Sequence, residues 1–165
     1  MTTSKLASVL VGAVALALGS AGVADASIPT PQCTASTLFS EVATFTSPNP
    51  GDQLFGIIFE AKPGTACTMS GTLGDLVFVD RSNMPLPVPV VSPDPANAKP
   101  AVLVPGNPKV VYLASKKGTG EGYTPAAASF TLPSTAATDR TVMVKWPKAA
   151  LTGPARLGYV GDFVS

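Results

Sequence analysis

Two cysteines, ten acidic residues and no histidine bound the chemistry open to this chain of 165 residues. Without an imidazole there is no Ser-His-Asp triad, no Cys-His dyad and no His-liganded zinc or copper site. Carboxylate chemistry survives that exclusion, because a glycosidase needs only two acids flanking the scissile bond. Glu41 and Glu60 fall inside strand-like patterns, and Asp75 and Asp80 bracket a third. No spacing marks any two of them as a pair, and nothing resembles a calcium-binding EF-hand loop. Solvated faces and strand ends are the simplest places for all four.

Other candidates are weaker. Ser115-Lys116 has the composition of a Ser-Lys dyad, but adjacent residues of a strand point to opposite faces. Gly118-Thr119-Gly120-Glu121-Gly122 is glycine-rich, yet Tyr123 stands where a nucleotide fingerprint needs its third glycine. The sequence after it returns to a strand pattern, so the segment reads as a hairpin loop. Trp146 and Tyr123 could stack on sugar rings. Trp146 shares a strand face with Val142 and Val144 and is expected in the core, and Tyr123 alone makes no platform.

These residues must be held by strands. Thr37 to Thr46 alternates loosely, Gln53 to Ala61 is aromatic and β-branched, and Leu76 to Asp80 is a compact apolar run. Ser47 to Asp52 is turn chemistry throughout and predicts a hairpin between the first two. Lys62-Pro63-Gly64-Thr65 turns the chain before Cys67, which begins the next strand, while Cys33 sits just ahead of the first. Eight prolines between Pro85 and Pro108 predict an edge strand and loops of polyproline character. Lys109 to Ser115, Ala128 to Leu132, Thr141 to Trp146 and Arg156 to Val164 resume strand patterning. Seven to nine short strands, 17 prolines and 15 glycines predict an all-β antiparallel sandwich.

The amino-terminus reads as an export signal spanning residues 1–26. Lys5 supplies a cation, Leu6 to Leu18 is an uninterrupted apolar run, and Ala24-Asp25-Ala26 is the small-x-small pattern that predicts a cut before Ser27. An uncleaved anchor is the rival, since the stretch from Leu6 to Ala24 approaches the roughly 20 residues a bilayer requires. Gly12, Gly19 and Gly22, with Pro29 and Pro31 beyond the cut, favour a removable leader. No cysteine directly follows the apolar run, which argues against lipidation. The remaining 27–165 is expected to be one secreted domain, monomeric and with no membrane span.

In an exported chain an isolated cysteine pair reads as a disulfide, here Cys33 with Cys67, stabilising by roughly 4 kcal/mol in the chain-entropy treatment. Two free buried thiols are the alternative. Removing Lys5 and Asp25 with the leader leaves ten cations and nine acids, with no run of like charge longer than Lys116-Lys117. That balance predicts no nucleic-acid partner. No catalytic, cofactor-binding or metal-ligating residue is assigned, and no cofactor is expected.

Cys33-Thr34-Ala35-Ser36-Thr37-Leu38 resembles the opening of a family of secreted actinobacterial proteins classed as domain of unknown function 4232. The resemblance continues at Ala66-Cys67-Thr68-Met69-Ser70-Gly71, at Val77-Phe78-Val79-Asp80 and at Val102-Leu103-Val104-Pro105-Gly106. It spans Cys33 to Val164, with the cysteine spacing as its specific part. Thr72-Leu73 replaces the family's usual Tyr-Pro, and a second cysteine pair carried by many relatives is missing. The resemblance implies an immunoglobulin-like β-sandwich outside the membrane and carries over no catalytic residue.

Three functions follow as expectations. The first is a non-enzymatic secreted or envelope-associated module that binds an unidentified protein or cell-envelope ligand through loops and strand edges. The second is a carboxylate-dependent hydrolase of envelope polysaccharide, which requires two of Glu41, Glu60, Asp75 and Asp80 about 5 to 10 Å apart in one cleft. The third is a structural or antigenic surface protein, which differs from the first only in lacking a specific ligand.

Overall fold

The computed structural model describes residues 29–118 and 122–164. The expected leader, with Ala24, Ala26 and Ser27 at its predicted cut, lies outside them, as do Thr119, Gly120 and Glu121. Among the described residues no helix is long and apolar enough to cross a membrane.

The expected all-β sandwich is the fold. The described residues form ten strands: β1 Leu38–Phe45, β2 Asp52–Ala61, β3 Cys67–Met69, β4 Gly74–Val79, β5 Val90–Val91, β6 Ala101–Leu103, β7 Lys109–Lys116, β8 Ala127–Thr131, β9 Thr141–Lys145 and β10 Thr152–Gly161. Three of them (β3, β5 and β6) are only two or three residues long. One layer is a five-stranded sheet of order β1-β2-β7-β10-β5, and the other is a three-stranded sheet of order β4-β8-β9. β3 and β6 form a separate pair. Every pairing between these strands is antiparallel except the short parallel contact of β5 with β10.

The period-2 pattern of β2 explains how the layers meet. Phe55, Ile57, Phe59 and Ala61 point inward and are buried, while Leu54, Ile58 and Glu60 alternate with them and are partly exposed. From the facing sheet come Phe78 on β4, Phe130 on β8 and Val142, Val144 and Trp146 on and just after β9. Phe59 meets Phe130 edge-on at 5.8 Å between ring centroids, and Trp146 lies 4.8 Å from Phe55 and 5.0 Å from Phe78. The Phe59–Phe130 and Phe55–Trp146 contacts join opposite layers, the Phe78–Trp146 contact lies within the three-stranded layer, and together they place Trp146 in the core, as its strand face predicts.

Cys33 and Cys67 form the disulfide, with both residues buried and their Cα atoms 4.9 Å apart. The Cys33 N–H donates to the Thr68 carbonyl, and the Thr68 N–H donates to Pro31, so residues 31–33 run beside β3. The bridge staples the amino-terminal edge to the body of the sandwich.

The proline-rich stretch is an edge, as expected. β5 holds only Val90 and Val91 against β10. A single 3-10 turn follows at Pro95–Asn97, where the Asp94 carboxylate accepts from the Ala96 N–H at 2.9 Å. β6 also lies within the stretch, on residues without proline.

Candidate functional site

Strand register assembles the outer face of the five-stranded sheet. Phe45 on β1 lies opposite Leu54 on β2, Leu54 opposite Ala114 on β7, and Ala114 opposite Arg156 on β10. The neighbouring row runs Ala43, Gly56, Tyr112. Gly56 leaves room for the larger rings around it, since a Cβ there would stand 2.5 Å from Cε2 of Phe45. Phe45 and Tyr112 then meet edge-on with centroids 5.4 Å apart.

The carboxy-terminal residues close one side. Phe163 packs on Phe45 at 6.1 Å between ring centroids, the Val164 N–H donates to the Tyr112 hydroxyl at 3.2 Å, and Asp162 pairs with the largely buried Lys109 ammonium. The result is an open apolar groove of about 640 Å³, lined by Phe45, Pro48, Leu54, Tyr112 and Val164 together with the hairpin residues Thr46 and Ser47.

Charged groups stand one row beyond the groove. Asp52 is 8% exposed, and its carboxylate accepts from Arg156 at 2.6 Å and from the Asn49 amide at 3.0 Å, with the Lys116 ammonium 3.5 Å away. Two cations converge on one acid. This local excess of positive charge borders an apolar floor.

The four acids singled out by sequence have distinct placements. Asp75 is exposed at a positive φ of 47° and accepts from the Thr131 hydroxyl at 3.1 Å. Asp80 holds the turn after β4 by accepting from the N–H groups of Ser82 at 2.7 Å and Met84 at 2.9 Å. Glu60 accepts from the Gly106 N–H at 2.9 Å, which ties the loop after β6 to β2. Glu41 and Glu60 do share a face: Glu60 is opposite Phe39, and Glu41 is two residues further along β1. Both line a shallow outer groove with Phe39, Ser40 and Ile58. Asp75 and Asp80 lie on other elements.

Ser115 is fully buried and Lys116 exposed, so the two do face opposite ways, and the Ser115 hydroxyl has no partner among the described residues. Tyr123 is exposed and makes an isolated bridge with Leu151. Among the described residues no three acidic or cysteine side chains gather where a metal ion could sit. Asp139, between β8 and β9, is a perturbed acid. Hydrogen bonds from the hydroxyl and the N–H of Ser36 hold its carboxyl below the ordinary aspartate value.

Sequence reasoning did not find the groove or the Asp52 cluster. Phe45 and Leu54 could have been paired from the hairpin, but Tyr112, Arg156 and Val164 are remote in sequence. The chain matches no family model, no curated protein and no solved structure.

Proposed function

We propose that the chain is an exported, envelope-associated β-sandwich module that acts by binding rather than by catalysis. The observation that carries this reading is the apolar groove of Phe45, Leu54, Tyr112 and Val164 on the outside of the five-stranded sheet, bordered by Arg156 and Lys116. Apolar surface gathered into one concavity with a charged rim suits an interaction site. Two of the four candidate acids, Glu60 and Asp80, hold a loop or turn, which further favours binding. Export rests on the pattern of residues 1–26 and fits the buried Cys33–Cys67 bridge, since disulfides persist in oxidising compartments. The resemblance to the secreted family classed as domain of unknown function 4232 points the same way.

The test starts from the full chain expressed in an exporting host. Intact mass is expected to begin at Ser27 and to be lighter than the dithiol form by two hydrogens. Retention on cell-wall material and crosslinking in live cells should then depend on the groove and fall with Leu54→Glu. A retained leader with alkylatable thiols overturns export, and absence of any retained or crosslinked partner overturns binding.

A second reading is a carboxylate-dependent hydrolase, favoured by the shared face of Glu41 and Glu60. Diagonal neighbours across an antiparallel pair lie about 7–8 Å apart, their Cβ atoms somewhat closer, so the two carboxyl groups can reach the separation of ~6.5–9.5 Å used by inverting glycosidases. This reading requires cleavage of envelope polysaccharide that is abolished by Glu41→Gln. Unchanged polysaccharide after prolonged incubation removes it.

A further inference from the structure

We propose that β1 is a self-pairing edge, through which two copies of this chain join their five-stranded sheets into one. The inference goes beyond the binding module described above, and it departs from the monomer expected from sequence.

The sheet order leaves β1 at one edge and β5 at the other. β5 is blunted by its length and by Pro89 and Pro93 on either side. The edges of the facing sheet are guarded as well. β4 is bridged by the Pro85 segment, whose Leu86 N–H donates to Phe78, and β9 ends in Lys145 and Pro147. β1 has none of these devices within its own length, and the lysines and proline after β9 stand across a groove from it. It pairs with β2 over eight consecutive residues without a bulge, and it contains neither proline nor lysine.

Hydrogen-bond parity identifies which groups face outward. The Lys62 N–H donates to the Thr37 carbonyl, whereas the Leu38 N–H turns back to Ala35. Odd-numbered residues therefore bond to β2, and alternation directs the N–H and C=O groups of Ser40, Val42 and Thr44 to the open edge. Among the described residues no hydrogen bond outside the β1–β2 ladder uses them. An open groove of about 400 Å³ runs beside them, with Ser40, Glu41 and Val42 on one side and Lys145, Pro147 and Lys148 on the other.

Parity and charge also choose the partner and the register. Two antiparallel copies can exchange backbone bonds only when even-numbered residues face one another. Centring the pair on Glu41 sets the single charge of the strand against itself, which is unfavourable. Centring it on Val42 sets Val42 against Val42, Ser40 against Thr44, Glu41 against Ala43 and Phe39 against Phe45. Hydroxyl–hydroxyl and aromatic pairs of this kind stabilise antiparallel ladders, and Phe39, 55% exposed in the single chain, acquires a neighbour. A second copy thus satisfies this edge without opposing like charges.

Sedimentation equilibrium of the full chain from an exporting host tests the proposal. The mass is expected to approach twice that of one chain as concentration rises, and Val42→Pro is expected to halve it while preserving the far-UV spectrum. Proline is tolerated there because the Val42 N–H faces away from β2. In the register centred on Val42, Val42→Cys forms an intermolecular disulfide on mild oxidation, and Ser40→Cys alone does not. A single-chain mass at every concentration overturns the proposal. So does equal crosslinking of the two cysteine variants, or a monomer that takes up an extended peptide at this edge. Cell-wall retention that fails with Leu54→Glu and survives Val42→Pro separates the groove from the edge.

Discussion

The ring of Phe45 occupies the space that any side chain at Gly56 would need. A Cβ at Gly56 would also meet Cγ2 of Val110 at 2.8 Å, so the position is crowded from two strands. Gly56→Ala is expected to lower stability by about 1–3 kcal/mol through overpacking and to loosen the Phe45–Tyr112 contact. Gly161→Ala, with nothing within 4 Å, is the comparison and should be close to neutral. Thermal unfolding of the two variants checks the difference.

Trp146 reports on the interior. It is 3% exposed and lies between Phe55 and Phe78, so its fluorescence should be blue-shifted in the native protein and move to the red on unfolding. Trp146→Ala should cost about 3–5 kcal/mol. The indole N–H has no partner among the described residues, so Trp146→Phe forfeits no hydrogen bond seen there and should cost far less. Urea titration of both variants measures the gap.

Reduction of Cys33–Cys67 should destabilise the protein by about 4 kcal/mol, because the bridge closes a long loop in the unfolded chain. Both residues are at most 1% exposed, so a mild reductant should act on the unfolded protein and spare the native one. Denaturant midpoints with and without reductant, together with thiol trapping under native conditions, test both halves.

Arg156 neutralises Asp52 at 2.6 Å, and Lys116 is the more distant cation at 3.5 Å. Arg156→Ala should cost about 1–2 kcal/mol, a charge-assisted hydrogen bond discounted for the exposure of the guanidinium. Arg156→Lys should recover part of that. Chemical denaturation at low and high salt distinguishes the ionic share from packing.

Asp139 sets an acid limit on the amino-terminal segment. Its folded carboxyl is held below the ordinary value, so its contribution is complete above the unfolded pKa, ~3.9, and is lost as pH falls through the depressed folded value. Its carboxylate accepts from the Ser36 N–H at 2.9 Å. The Ser36 amide should lose its exchange protection on acidification within that window, while Asp139→Asn should remove the pH dependence.

The parts of this fold legible in sequence were those that alternate. β2, β7, β8 and β9 each carry a buried face at every second residue, whereas β1 alternates only loosely and buries Leu38 alone, and the face shared by Val142, Val144 and Trp146 placed the tryptophan correctly. β6 was hidden because Ala101–Leu103 is too short for a pattern and lies among prolines. The proximity of Glu41 and Glu60 depends on hairpin register. A slip of one residue across the turn from Ser47 to Gly51 would have put the two on opposite faces. Asp52 looked like turn chemistry, and its cation Arg156 comes from the far end of the chain, with no local signal linking the two.

The position of β2 in its sheet also governs how the chain reaches this structure. β1 and β2 are joined by a short turn and can pair as soon as both exist, but the other edge of β2 waits for β7, with everything from Lys62 to Pro108 intervening. β7 in turn waits for β10, close to the carboxy-terminus. Closure of such distant pairings is slow, on the order of milliseconds to seconds for all-β domains. Until β4, β8 and β9 pack on it, the face of β2 that carries Phe55, Ile57 and Phe59 has no opposing layer. The chain is therefore most prone to misassociation while that apolar face of the β1–β2 hairpin is uncovered.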